Sequence, residues 1–397
     1  MHDEQGQITA EGEAQVEIRE DSLTVLPKFG EALYFSLRDI IDATQQDYKI
    51  TLTLSSKETL IFSDIGYQYE DLLRQLLKER NVMVVKDSLV TENPIKSFDN
   101  IDFVYNNEKG KIEDTGELKV YRDKVIIIPK QAELIKLYFA SVNNISDRDY
   151  SLELTSEYGT TLVLVKLGER HGDMVKLFSQ LMSNLSLNIQ STLQELFPSI
   201  NPLIIRKASR LLKEGRATKK KDIVNISADL WQAMEMKLFD LGIKEEYDYL
   251  SAKADKDRVS IGLKKERGGE FVWFLIPISN TIVMEATSQT SSGKATYFFR
   301  VVDSQQDKDH GTDLKISNII DRTLYQINDA MIKTEFKREP IYLTDEQLQK
   351  TEYQQYKFAL EKLPELKTLR ELFLGRVIHN SPEQWRADVD ALLKSNN

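Results

Sequence analysis

The chain has 397 residues, 41% hydrophobic and 29% charged, and a net charge of −10 from 53 basic and 63 acidic side chains. That is ordinary globular composition, long enough for roughly two to four domains that bury their cores without a metal or disulfide staple. The lack of any cysteine excludes disulfides, cysteine nucleophiles, thiolate zinc sites and cysteine-ligated iron–sulfur clusters together, and the acidic balance disfavours general nucleic-acid binding.

The stretch Met1–Ala14 is polar and acidic. It lacks the basic and apolar segments of a signal peptide. The longest apolar stretches, such as Phe271–Ile278, have strand length and fall short of the ~18–20 residues of a membrane span. A cytoplasmic protein is expected. Val16 and Ile18 then alternate with polar residues, as do Tyr48, Ile50, Leu52 and Leu54, the period of a half-buried strand. After Gly66 the period changes, and Tyr69, Leu72, Leu73, Leu76 and Leu77 share one helical face.

The same order returns about a hundred residues later. With Asp21 placed over Asp123, Pro27 meets Pro129, Lys28 meets Lys130, Glu31 meets Glu133, Asp47–Tyr48 meets Asp149–Tyr150, Thr59–Leu60 meets Thr161–Leu162, and Gly66 meets Gly168. A small shift upstream sets Gly12–Glu13 over Gly116–Glu117. A constant offset of this length marks an internal repeat. Each copy reads as an antiparallel meander closed by one amphipathic helix, the lid for the sheet's apolar face.

That element order resembles the pleckstrin-homology-like (PH-like) superfold of small bacterial PH and GRAM-type domains, over residues 12–90 and 116–190. The resemblance implies seven strands per copy. Five or six are evident, with Val82–Val85 and Ile101–Tyr105 as candidates for the rest. Neither helix carries the tryptophan common in classical PH domains. The basic first-loop pattern that binds phosphoinositides is missing, since Arg19–Glu20–Asp21 and Arg122–Asp123–Lys124 mix charges; lipid binding is not carried over from the resemblance.

Residues 194–243 read as a helical connector. Pro198 and Pro202 bracket a turn, and a second helix runs on from Pro202; Ser227 caps a third that turns Trp231, Met234 and Leu238 inward. Within it, 203–222 holds Arg206, Lys207, Arg210, Lys213, Arg216, Lys219, Lys220 and Lys221 against only Glu214 and Asp222. This local charge of +6 leaves −16 for the remainder of a chain of net −10. Residues 246–335 form a third α+β module, either a diverged PH-like copy or an unrelated one, with a hairpin turn at Arg267–Glu270, another turn at Gln289–Gly293 and the nearly all-apolar strand Phe271–Ile278. Residues 340–397 form a helical tail, with Thr344 and Gln347 spaced as a capping box and Pro364, Gly375 and Pro382 as breaks. The fold class is therefore α+β: tandem PH-like sheet-plus-helix modules, a third α+β module and a helical C-terminal tail.

No reactive set emerges. His2, His171, His310 and His379 lack ligand spacing to one another. No P-loop, Gly-x-Gly-x-x-Gly or Gly-x-Ser-x-Gly occurs, and Glu245–Glu246 reads as surface charge. The chain is expected to be non-enzymatic, with no cofactor, metal or catalytic residue. The eight basic residues are the candidate interaction element, against the commoner alternative of a solvated helix face with Lys219–Lys221 as a turn. The aromatic run Phe271, Trp273, Phe274 reads as a ligand groove or, more commonly, a central strand buried on both faces. The expected partner is another protein, or a second copy of the chain, held in inter-domain grooves or at sheet edges by β-augmentation. Anionic lipid and nucleic acid, the latter through the basic connector, are the alternatives.

Overall fold

The computed structural model describes residues 1–87, 92–107, 110–156, 159–266, 269–289, 294–302 and 312–396. Helices and antiparallel sheets divide into two units, Met1–Leu181 with Thr351–Leu363, and Met182–Lys350 with Pro364–Asn397.

The first unit opens with two three-stranded antiparallel sheets. One joins β1 (Ala14–Ile18), β2 (Ser22–Pro27) and β3 (Leu33–Ser36); the other joins β4 (Ile40–Gln46), β5 (Lys49–Leu54) and β6 (Thr59–Phe62). The period of two puts Ile50, Leu52 and Leu54 on one face, where Leu73, Leu76 and Leu77 of α1 (Tyr69–Asp87) cover them. Next come β7 (Lys96–Asn107), β8 (Gly110–Val120), β9 (Lys124–Pro129), β10 (Ile135–Tyr138), β11 (Val142–Arg148), β12 (Ser151–Ser156) and β13 (Thr161–Val165). They make one antiparallel sheet of order β10-β9-β8-β7-β13-β12-β11, followed by α2 (His171–Leu196). Phe178 of α2 meets Phe139 edge-on at 5.9 Å as the lid of this second sheet.

The repeat is structural. β2, β3, β4 and β5 correspond residue for residue to β9, β10, β11 and β12, and β6 and α1 begin as far before β13 and α2 as Ser22 lies before Lys124. The register extends to β1 without the shift expected upstream. Pro27 lies opposite Ala14 and Pro129 opposite Gly116, so Ala14 is the equivalent of Gly116. Glycine has a local cause there: a Cβ at residue 116 would lie 2.5 Å from the Ile128 carbonyl oxygen. Matching glycine to glycine follows that constraint and not the repeat. Val82–Val85 belongs to α1, and Ile101–Tyr105 lies in β7.

The copies differ by one strand. β7 lies between β8 and β13 and buries Phe98, Ile101 and Phe103, each worth roughly 1.5–3 kcal/mol of apolar burial. Among the described residues the first copy has no counterpart, and β1 and β6 are sheet edges. There His2 alone bridges Thr59, through backbone bonds of 2.8 and 3.0 Å. Val16 and Ile18 are half-buried where their equivalents Leu118 and Val120 are fully enclosed.

The second unit begins within α2 and continues through α3 (Pro202–Ala208), β14 (Thr218–Lys219), α4 (Lys220–Val224), α5 (Ala228–Asp240) and α6 (Lys244–Ser251). β15 (Ser260–Glu266), β16 (Gly269–Ile278), β17 (Thr281–Ser288) and β18 (Ala295–Arg300) follow, then α7 (Thr312–Lys333), α8 (Glu339–Tyr342) and α9 (Asp345–Leu348). After α10 (Gln354–Lys362), which belongs to the first unit, come α11 (Pro364–Leu372), β19 (Phe373–Ile378) and α12 (Pro382–Ser395). One six-stranded antiparallel sheet, β14 through β19 in chain order, draws strands from the connector, the third module and the tail.

One face of that sheet, through Trp273, Leu275, Met284 and Phe299, packs on Leu324 and Ile327 of α7 and Leu369 of α11. The opposite face holds Phe274 against Tyr247 of α6. Cover on both faces explains the nearly continuous apolar run of β16 and fits the central-strand reading of Phe271, Trp273 and Phe274. The expected all-helical tail contains β19. Gly375, read as a helix break, pairs with Phe298 of β18 instead, and the flanking Phe373, Val377 and Ile378 are good strand formers. The turns read at Arg267–Gly268 and at Thr290–Gly293, and the polar loop with His310, lie outside the described residues. Among the described residues no helix is long and apolar enough to cross a membrane.

Candidate functional site

The basic window does not form one continuous face. Asn201 caps α3 by accepting from the Leu203 N–H, and Pro202 starts the helix. α3 ends at Ala208, short of the longer helix expected. Glu214 at φ 50° and Gly215 at φ 81° then redirect the chain into β14. Arg206, Lys207 and Arg210 are exposed on and just after α3, and Lys221 is exposed on α4. Lys213 and Arg216 are half-buried, Arg216 over the Tyr325 ring. Lys219 is in a strand rather than a turn and pairs with Asp321 at 2.9 Å. Lys220 lies over the Trp231 ring. The sheet and its helices thus use Arg216, Lys219 and Lys220 internally.

The same unit contains a charged cluster that the sequence leaves scattered. His379, just after β19, places Nδ1 3.2 Å from Glu246 of α6 and Nε2 3.3 Å from Glu285 of β17. Thr296 of β18 donates to Glu285 at 2.9 Å, and the Trp385 indole of α12 donates to Thr296 at 2.9 Å. Burial lowers the imidazole pKa, but the two carboxylates outweigh it and raise it to about 9. Burial raises and the His379 hydrogen bond lowers the Glu246 pKa, with a net fall. Glu246 is therefore not the plain surface charge expected of Glu245–Glu246. A pocket of about 200 Å³, lined in part by Glu246, Lys294, His379 and Arg386, opens beside the cluster. The one sequence cue is Glu285, a lone carboxylate within an apolar strand. Among the described residues no group of three or more His, Asp or Glu side chains is placed to hold a metal ion.

The first unit carries surface aromatics, unequally. The Asp47–Tyr48 and Asp149–Tyr150 turns hold all four residues at φ between 49° and 59°, a region that disfavours bulky side chains. Both tyrosines project, Tyr48 81% and Tyr150 72% exposed. Tyr48 meets Tyr69 edge-on at 5.8 Å, and Tyr150 meets the equivalent His171 at 5.6 Å. Only the first copy adds Phe29, Tyr34 and Tyr67, which are 87%, 68% and 94% exposed. At these positions the second copy has Gln131, Lys136 and Glu169.

No protein-family model matches the chain, and no curated protein matches it.

Proposed function

We propose that the chain is a non-enzymatic protein-binding or scaffolding protein whose first unit is a pair of PH-like modules. The second copy supports the PH-like reading by its seven-stranded meander, its first strand placed between the second and the seventh, and its C-terminal helix lid. The observation that carries the function is the asymmetry between copies. On one repeated backbone, the first copy exposes Phe29, Tyr34 and Tyr67 where the second has polar side chains. Exposed aromatics of this kind are the side chains that anchor protein interfaces. His379, with each ring nitrogen facing a carboxylate, serves as a structural cation and not as a base.

The test exchanges the aromatics for the residues of the other copy. Phe29→Gln, Tyr34→Lys and Tyr67→Glu, introduced together, keep the repeated backbone and remove the three exposed aromatics. The native chain is expected to recover a stoichiometric protein partner, or to self-associate, and the triple variant to lose it. A monomer that recovers none overturns the reading.

The exposed Arg206, Lys207, Arg210 and Lys221 favour nucleic acid as the second reading. A salt-dependent gel shift abolished by replacing all four with Ala would establish it in place of the first.

A further inference from the structure

The strand β7 of the second copy, which the described residues of the first do not supply beyond His2 opposite Thr59, defines an open position in a sheet. We propose that the edges of β1 and β6 form an acceptor slot for one extended strand of another polypeptide, with bulky apolar side chains spaced as Phe98, Ile101 and Phe103 are in β7, where the register shifts between Phe98 and Ile101. This rests on the protein-binding reading and names where and how the partner is held.

Backbone directions define the slot. The Lys28 N–H donates to the Glu13 carbonyl at 2.8 Å and the Arg19 N–H to the Ser22 carbonyl at 2.9 Å. By the alternation of an antiparallel ladder, β1 turns the backbone groups of Ala14, Val16 and Ile18 away from β2. On the other side Thr59 exchanges both backbone bonds with His2, so Ile61, two residues on, also faces outward. The Gln75 side chain donates to the Ile18 carbonyl and closes one end; His2 closes the other.

The second copy shows what fits. β7 pairs antiparallel with β8 and β13, through Phe98 opposite Leu118, Ile101 opposite Gly116 and Phe103 opposite Leu164. In the first copy these partners are Val16, Ala14 and Phe62. Val16, Ile18 and Phe62 border the core, half-buried, and an apolar strand laid across them would complete the enclosure. Phe29 belongs to the same place. Its equivalent Gln131 lines a pocket with Asp102 and Phe103 of β7, so Phe29 stands at the mouth of the slot. Strand addition of this kind takes affinity from backbone bonds and selectivity from alternate side chains.

The probe is a labelled peptide of the β7 sequence, Lys96–Val104, which stops short of the position opposite Thr59 that His2 holds, added to the full chain. Saturable binding is expected, with slowed amide exchange at Val16 and Ile61. A peptide with Phe98, Ile101 and Phe103 replaced by Ser should not bind. Val16→Pro and Ile61→Pro each remove an outward N–H, which an edge strand tolerates, and each should weaken binding by about tenfold. Absence of binding to the native chain, or binding without protection at Val16 and Ile61, overturns the slot; the exchange measurement needs no variant to fold. A captured partner that the β7 peptide does not displace also overturns the slot and leaves the protein-binding reading intact.

Discussion

Glu285 and His379 face one another across 3.3 Å on a sheet covered by helices on both faces, and Glu285 has no exposed surface. A histidine raised from 6.5 to about 9 in the folded chain stabilises fully below about pH 6.5 and loses that contribution as pH rises through about 9. The effect is roughly 1–2 kcal/mol after allowance for solvent screening. Urea midpoints should fall between those two values in the native protein and stay flat over the same range in His379→Gln. That variant also leaves Glu285 buried without its cation, which costs about 3–5 kcal/mol near neutral pH.

In the first unit, Lys362 of α10 donates to Asp87 of α1 at 2.9 Å, and Asp87 also pairs with Arg38 at 3.3 Å. The lysine is almost fully enclosed, and burial lowers its pKa despite the carboxylate. The two truncations should therefore differ. Asp87→Ala strands a buried ammonium and is expected to cost about 3–5 kcal/mol. Lys362→Ala leaves Asp87 with Arg38 and should cost less. Chemical denaturation of the two variants side by side measures the difference; equal losses would contradict the assignment.

Ala14 and Gly116 hold one position in the two copies, with opposite tolerances. Gly116→Ala drives a Cβ into the Ile128 carbonyl and should destabilise by about 1–3 kcal/mol. Ala14→Gly, on an exposed edge strand, should lose only about 0.5–1 kcal/mol. Thermal melts of both variants test the pair.

Tyr48 and Tyr150 occupy left-handed backbone that glycine accepts without strain. Replacing either by Gly should raise stability by up to about 1 kcal/mol, less what the ring contact to Tyr69 or His171 contributes. If Tyr48 serves recognition, Tyr48→Gly weakens partner capture while raising the melting temperature. Unchanged capture would remove it from the binding face.

The repeat was legible because its signal is local: alternation in β5 and β12, and the helical period from Tyr69, survive in any stretch of ten residues. β19 was not legible, since Gly375 breaks helices in general and only the edge of β18 makes it a strand. The His379 cluster was less so. Glu246, Glu285, Thr296 and Trp385 come from four elements, and long-range pairing alone assembles them. The basic window misled in another way. Composition counts Lys219 as free charge, and only the fold sets Asp321 beside it.

The shared register of the copies also bears on how the chain folds. Synthesis runs from the N-terminus, so β6 emerges with an open edge before β7, and β13 follows only after about another fifty residues. The first strand of matching pattern to meet that edge is β7 itself. Where β7 takes that edge before β13 is made, the two compete, and a refolding phase that slows when β7 is retained but β13 is disrupted would mark that competition.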